Sequence, residues 1–221
     1  MEFYHALNRG VDKRAIAMND TDRLRFVQDL YDMNNTASVE NTVRIPLFDL
    51  RGRTENAFRN RDRLVDVHAW CLMGNHYHLL ISERVGGGIS KFLMKLNVGY
   101  TKYFNLRYAR SGVLFQGKTK RVLIGNDRQF LYILPYIHMN PLDFMEGGKA
   151  WRAQSLAKPR AALKWITEYR WSSYRNYAGE KEFAEILEGS ELFADRKSHT
   201  KELQRFLRAM PDQTLTTLNL E

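Results

Sequence analysis

A single cysteine among 221 residues rules out an internal disulfide. Cys71 lies in an apolar, strand-like run, which argues against a catalytic thiol and for a reducing compartment. Long apolar stretches are also missing. The longest, Phe130 to Ile137, is too short to span a bilayer, and Met1-Glu2-Phe3-Tyr4-His5 has neither the charged head nor the apolar stretch of a signal peptide. These absences lead to the expectation of a soluble, cytoplasmic chain with no membrane partner. Acidic residues are scarce relative to basic ones, 25 against 34, for a net charge of +9. Residues 181–221 hold six basic and eight acidic residues, so the first 180 carry 28 and 17, a net of +11. That excess favours a polyanionic partner, and Lys118-Thr119-Lys120-Arg121 and Arg107-Tyr108-Ala109-Arg110 mix cations with aromatics and polar groups in the manner of single-strand binders.

With 44% hydrophobic residues the chain can bury a core without staples. Phe3 to Leu7 reads as a strand, Asn8-Arg9-Gly10 as a turn, and Ala15 to Met18 as a short second extended piece. Asn19, Asp20 or Thr21 can cap a helix through about Met33. Residues 34–63, polar and then arginine-rich (Arg51, Arg53, Arg59, Arg61, Arg63), read as a basic insertion. Leu64 to Met73 and the run after Asn75 read as two strands joined by a Gly74-Asn75 turn. Gly86-Gly87-Gly88 breaks the chain before an amphipathic helix marked by Ile89, Phe92, Leu96, Tyr100 and Phe104. Val113 to Ile124 reads as a strand pair or extended edge. A helix capped by Asn126 or Asp127 then runs to Asn140-Pro141, with Pro135 expected to kink it just before Tyr136. Residues 149–180 form a basic, aromatic segment, and a last helix is expected from Ser198 to Met210, stopped by Pro211. The order β-β-α-β-β-α-β-α predicts an α+β fold, an antiparallel sheet with helices packed on it. The organisation is read as one domain over 1–180 followed by a helical tail, 181–221.

Within Met73-Gly74-Asn75-His76-Tyr77-His78-Leu79-Leu80-Ile81, strand geometry puts His76 and His78 on one face with Tyr77 behind. Two neighbouring imidazoles can hold one metal ion, although a half-buried polar face gives the same pattern. In the register of a two-residue turn, Met73 faces His76 and Cys71 faces His78. His68 then falls on the face of Tyr77, Leu79 and Ile81, a poor place for a third ligand. Tyr136 and Asn140 stand one helical turn apart, so a phenol and an amide oxygen share a face. A hard divalent metal on two imidazoles and an amide oxygen keeps positions open for phosphate oxygens, and a phenol beside it can attack phosphorus in line. Tyr132, one turn earlier, is the rival nucleophile but lacks an asparagine at the matching offset. His138 is expected to face away from the Tyr136 ring in a structural role.

Several stretches together resemble the single-tyrosine HUH transposases of the IS200/IS605 type, and most of all the REP-associated tyrosine transposases. They are Tyr4-His5-Ala6-Leu7-Asn8-Arg9-Gly10, His68 through Leu80, Tyr103-Phe104-Asn105, Gly112-Val113-Leu114-Phe115-Gln116-Gly117, Tyr136-Ile137-His138-Met139-Asn140-Pro141 and Trp171-Ser172-Ser173-Tyr174. Their order covers most of residues 3–177. Departures are Gly74 where proline is common, Pro135 where a basic or polar residue is usual, and a long 34–63 insertion.

The resemblance implies an HUH endonuclease domain of ferredoxin-like or RRM-like sandwich form, with His76, His78 and Asn140 as ligands to Mg²⁺ or Mn²⁺ and Tyr136 as the nucleophile. It implies cleavage and rejoining of hairpin-bearing single-stranded DNA through a 5′-phosphotyrosine link, as in transposition and DNA recombination at REP elements. Asn8, Arg9, Gln116, Lys118, Lys120 and Arg121 are the expected DNA contacts. Related transposases pair as dimers and domesticated relatives act as monomers, so a homodimer and a monomer are both open. The alternatives are a non-catalytic binder of DNA hairpins and a replication initiator or relaxase of the HUH class.

Overall fold

The computed structural model describes residues 1–37, 62–153, 156–188 and 196–208. Arg51, Arg53, Arg59 and Arg61 of the basic segment lie outside them. Among the described residues four strands, β1 (Phe3–Arg9), β2 (Val65–Leu72), β3 (His76–Glu83) and β4 (Lys120–Ile124), form one antiparallel sheet in the order β2-β3-β1-β4. Helix α1 (Asp20–Asp32) follows β1 and α2 (Gly88–Arg107) follows β3. The sequence β1-α1-β2-β3-α2-β4 with that strand order is the ferredoxin-like split βαβ arrangement. The expected α+β class, an antiparallel sheet with packed helices, is therefore the fold observed.

Both faces of the sheet are covered. Residues of alternate parity send Ala6, Val67, Leu72, Tyr77, Leu79 and Ile81 into a core with α1 and α2. The opposite parity sends Ala69, Cys71 and Leu80 into a second core. That core is built with α3 (Asp127–Met139), α4 (Pro159–Glu168) and the last helix, Arg196–Arg208, whose Leu203 and Leu207 are buried there. No helix among the described residues is long and apolar enough to cross a membrane.

Local signals hold where bonded geometry decides. The Asn19 side chain accepts from Asp22 N and caps α1, and Asn126 caps α3 in the same way through Gln129 N. The Gly74-Asn75 turn closes with Met73 N donating to His76 O at 2.8 Å. Gly87 enters α2 at φ 75°, and a Cβ on Gly88 would stand 2.2 Å from Leu64 O, so this end of α2 lies directly against the start of β2.

Three expectations are corrected. Asn8 and Arg9, expected in a turn with Gly10, are the end of β1 and pair with Tyr77 and His76. Ala15 to Met18 is not a strand; Ile16 N and Ala17 N both donate to Gly74 O, so the segment braces the β2–β3 turn instead. Of the two readings of Val113 to Ile124 the extended edge holds: it yields one strand, β4, at the edge of the sheet, preceded by an isolated bridge between Phe115 and Gly10. His68 does not sit with Tyr77, Leu79 and Ile81. A bulge between Val67 and Ala69 turns it to the other face, where Nε2 bonds Ser82 Oγ at 2.8 Å and the ring meets Phe3. It remains engaged far along the strand from His76. The last described helix is Arg196–Arg208, two residues earlier at its start than expected.

The 34–63 segment leaves and re-enters the fold through one neck. Thr36 N donates to Asp62 O at 2.7 Å, and the buried Asn34 side chain accepts from Leu64 N and Val65 N and donates to Val65 O. Asn34→Ala would strand three buried backbone groups, and urea denaturation is expected to show a loss of roughly 2–4 kcal/mol. A loss below about 1 kcal/mol would show that water or neighbouring groups replace these bonds.

Cys71 is 1% exposed beside Met73 Sδ, and burial pushes its thiol well up from the ordinary value. Since the thiolate is the reactive form, a maleimide or iodoacetamide is expected to leave the native protein unlabelled and to label it once after denaturation.

Candidate active site

β3 presents His76 and His78 to the α3 side of the sheet, ring centroids 4.9 Å apart. The Asn75 amide donates through Nδ2 to Lys13 O, which fixes its Oδ1 as the acceptor for His76 Nδ1–H at 2.6 Å. His76 Nε2 is thereby left with its lone pair. His78 Nδ1 meets His5 Nε2 at 2.9 Å. The two rings are 2° from parallel with centroids 5.1 Å apart, the separation that an in-plane, edge-to-edge bond produces.

His5 was given no role from the sequence. It stands opposite Leu80 on β1, two residues along the same face from the Leu7–His78 pair. Only the placing of β1 beside β3 brings it there. His78 Nε2 is buried with no protein partner. For that nitrogen to accept a ligand, the proton must lie on Nδ1 and be donated to His5 Nε2, which puts the His5 proton on its own buried and unpartnered Nδ1. Burial, then Arg9, hold His76 down to about 4; burial, then Lys120, hold His5 down to about 3; and burial, then the neighbouring His76 and His5, hold His78 well below its ordinary value. All three rings are neutral near pH 7, as metal ligation requires.

Helix α3 packs on β2 and β3 and runs from Asp127 through Pro135 to Met139. The carbonyl deprived of its donor by Pro135 belongs to Leu131, an exposed position where water can serve. Tyr136 is 1% exposed, its ring 5.8 Å from that of His78 and 5.9 Å from that of His5. Asn140 is fully buried at the end of α3, and its Nδ2 donates to Tyr136 O. The residues predicted as one site, His76, His78, Tyr136 and Asn140, thus gather on one side of the sheet. The rival, Tyr132, packs instead on Phe206 of the last helix. His138 is buried away from the site, bonded to Ser173 Oγ and His199 Nε2.

Three further side chains enter to which the sequence assigned no role in the site. Arg152, in the 3-10 segment Gly148–Ala153, donates from Nη2 to Asn140 Oδ1 at 3.1 Å and from Nη1 to Tyr136 Oη at 3.5 Å. Asp143 holds the same guanidinium at 2.9 Å and accepts from Trp151 Nε1. Trp151 is buried and packs against the Tyr136 ring. No sequence periodicity links 152 to 136; the abundance of Arg and Trp in residues 149–180 was the only signal.

The donor set fits a divalent cation in part. His76 Nε2 and the orphaned His78 Nε2 supply two nitrogens. Among the described residues no three His, Cys, Asp or Glu side chains converge on one point, so a third protein donor must be an amide oxygen. Asn140 Oδ1 is the available one, and here it accepts from Arg152.

The expected DNA contacts are divided by the sheet. Arg9 lies beside His76 on β1, and Lys120 faces the His5 side of β4. Arg121 faces α2, where it bonds Ser90 Oγ and, with Lys118, borders a surface cavity of about 270 Å³. Gln116 and Lys118 are exposed. Asn8 is buried on the α2 side, its amide bonded to Thr119 Oγ1 at 3.1 Å and its Oδ1 accepting from Arg9 N.

No protein-family model matches the chain, and no curated protein sequence matches it. Among solved structures, one described as the REP-associated tyrosine transposase bound to a REP hairpin is similar over 85% of each chain, with 9% identity and a TM-score of 0.44.

Proposed function

We propose that the protein is a metal-dependent strand transferase that cuts and rejoins hairpin-bearing single-stranded DNA, with Tyr136 as the nucleophile. The observation that carries this reading is His78 Nε2, a buried ring nitrogen without a partner, on a histidine that together with His5 lies against the Tyr136 ring. An unsatisfied buried nitrogen is costly unless a ligand completes it.

His76 and His78 would hold Mg²⁺ or Mn²⁺ through Nε2, with Asn140 Oδ1 as the third donor, and the bound ion would supply Lewis-acid polarisation of a non-bridging phosphate oxygen. In the tautomer that leaves His78 Nε2 open to a ligand, His78 Nδ1 would donate to His5 Nε2. Tyr136 Oη forms a bond to phosphorus while the bond from phosphorus to the 3′ oxygen breaks. The phenol gives up its proton and the departing 3′ oxygen takes one, so the proton count is unchanged. Arg152, a cation beside Oη, favours the phenolate. The reverse attack by a 3′-hydroxyl releases the tyrosine and rejoins the strand. Arg9 and Lys120, on the same side of the sheet, would take backbone phosphates. Gln116, Lys118 and Arg121 would extend that contact around the β4 edge, while Asn8 would act by bracing the Thr119 side chain.

A second reading, a hairpin binder without cleavage, draws on the near-complete burial of Tyr136 and Asn140 beneath Trp151 and Arg152. Incubation of the protein with Mn²⁺ and a labelled hairpin oligonucleotide separates the two. Transfer requires a denaturant-resistant adduct whose modified peptide contains Tyr136. Salt-sensitive binding with no adduct under any divalent metal leaves the binder.

A further inference from the structure

Arg152 carries an unusual load for one side chain. Its guanidinium touches the hydroxyl of the proposed nucleophile, the amide oxygen of the proposed third ligand and both oxygens of Asp143, and it lies 4.5 Å from the Trp151 ring. Asn140 has little freedom to turn aside, because its Nδ2 is tied to Tyr136 O. Its Oδ1 has two lone pairs, one of which meets the guanidinium, so a metal ion on the other would stand beside that cation. The two cations also repel each other across a buried site, where screening is weak.

Guanidinium is the side chain best matched to phosphate, because two of its N–H groups meet two oxygens in one plane. The arm is a quarter exposed and is tethered by Asp143 through Nε and one N–H of Nη2, so Nη1 and the second N–H of Nη2 can change partner without the arm leaving the site. Building on the function proposed above, we propose that Arg152 is the phosphate-binding residue of the site. Without DNA it is parked on Asn140 Oδ1 and Tyr136 Oη and closes the third metal position. A phosphodiester at the site draws the guanidinium to its own oxygens, frees Asn140 for the ion and uncovers the tyrosine. Phosphate and metal then bind cooperatively, and the coupling is reciprocal, each tightening the other.

Mn²⁺ binding to the full-length protein, read by electron paramagnetic resonance of the free ion, tests this without reliance on cleavage. Four proteins are compared, each alone and with a single-stranded hairpin oligonucleotide: the parent, Arg152→Met, the charge-neutral pair Arg152→Met with Asp143→Asn, and His78→Ala as the blank. Thermal melting confirms folding, with Arg152→Gln held in reserve for a misfolded methionine variant. In the parent, DNA is expected to tighten Mn²⁺ binding by about tenfold or more. Both Arg152 variants are expected to bind Mn²⁺ about tenfold tighter than the parent without DNA, and to gain little when DNA is added. If the parent binds Mn²⁺, His78→Ala does not, and the Arg152 variants match the parent, the latch is overturned while the metal site stands. Tightening in the single variant but not in the charge-neutral pair assigns the effect to the unpaired Asp143 carboxylate and likewise overturns it. If none of the four binds Mn²⁺, the proposed metal site itself falls.

Discussion

Tyr136→Phe is expected to abolish the DNA adduct and to lower strand cleavage by roughly four orders of magnitude or more, the scale seen when a covalent nucleophile is removed from an enzyme. The change deletes one oxygen, which Arg152 Nη1 approaches at 3.5 Å, and stability is expected to move by about 1 kcal/mol. Binding of the hairpin should persist, because the basic residues are untouched. Tyr132→Phe is the matched control: its ring packs edge-on against Phe206 and has no part in the site, so cleavage should stay near the parent level. Adduct at parental yield from Tyr136→Phe would remove the transferase reading, and loss in Tyr132→Phe alone would reassign the nucleophile.

Acidification from pH 7.5 to 5 is expected to destabilise the protein severely. All six histidines are buried, and burial is the leading cause that holds His5 down to about 3, His76 to about 4 and His199 to about 4. His78 and His138 also lie well below their ordinary value, through burial and then a facing imidazole. Unfolded imidazoles take up protons as the pH falls through about 6.5, while the folded ones stay neutral to about 4 or lower. The unfolded state therefore binds more protons throughout that window, and stability present above pH 6.5 is lost on the way down. At pH 5 each of His5, His76 and His199 withdraws about 2 kcal/mol, together about 6. His78 and His138 add to the loss with the same sign. A domain stable by about 5–15 kcal/mol has little left after such a change. Urea denaturation at the two pH values measures it directly. An unchanged midpoint would mean that these rings are not neutral and buried in solution.

Much of the site was legible because its parts obey local rules. The Gly74-Asn75 turn and the two-residue alternation of β3 place His76 and His78 together whatever the rest of the chain does. The same is true of Tyr136 and Asn140, four residues apart on a helix that Asn126 starts and Pro141 ends. The amphipathic stripe of α2 and the class of fold follow from periodicity in the same way.

Where the register depends on one residue, the local rules failed. The bulge between Val67 and Ala69 turned His68 to the opposite face, because one extra residue reverses the parity of everything before it. Ala15 to Met18 has strand-like composition but cannot pair with β1, since β3 and β4 occupy both sides of it. The chain folds it onto the hairpin turn.

By itself the sequence determined the two halves of the candidate site, a histidine pair on a strand and a tyrosine-asparagine pair on a helix. Both depend on spacings of two and four residues, which bonded geometry fixes. The tertiary structure alone decided what surrounds them. Strand order set His5 edge to edge with His78, although 73 residues separate them. Packing of the Gly148–Ala153 segment over α3 set Arg152 on Asn140 and Tyr136. Such neighbours arise from long-range burial and hydrogen bonding, for which the linear chain carries no period.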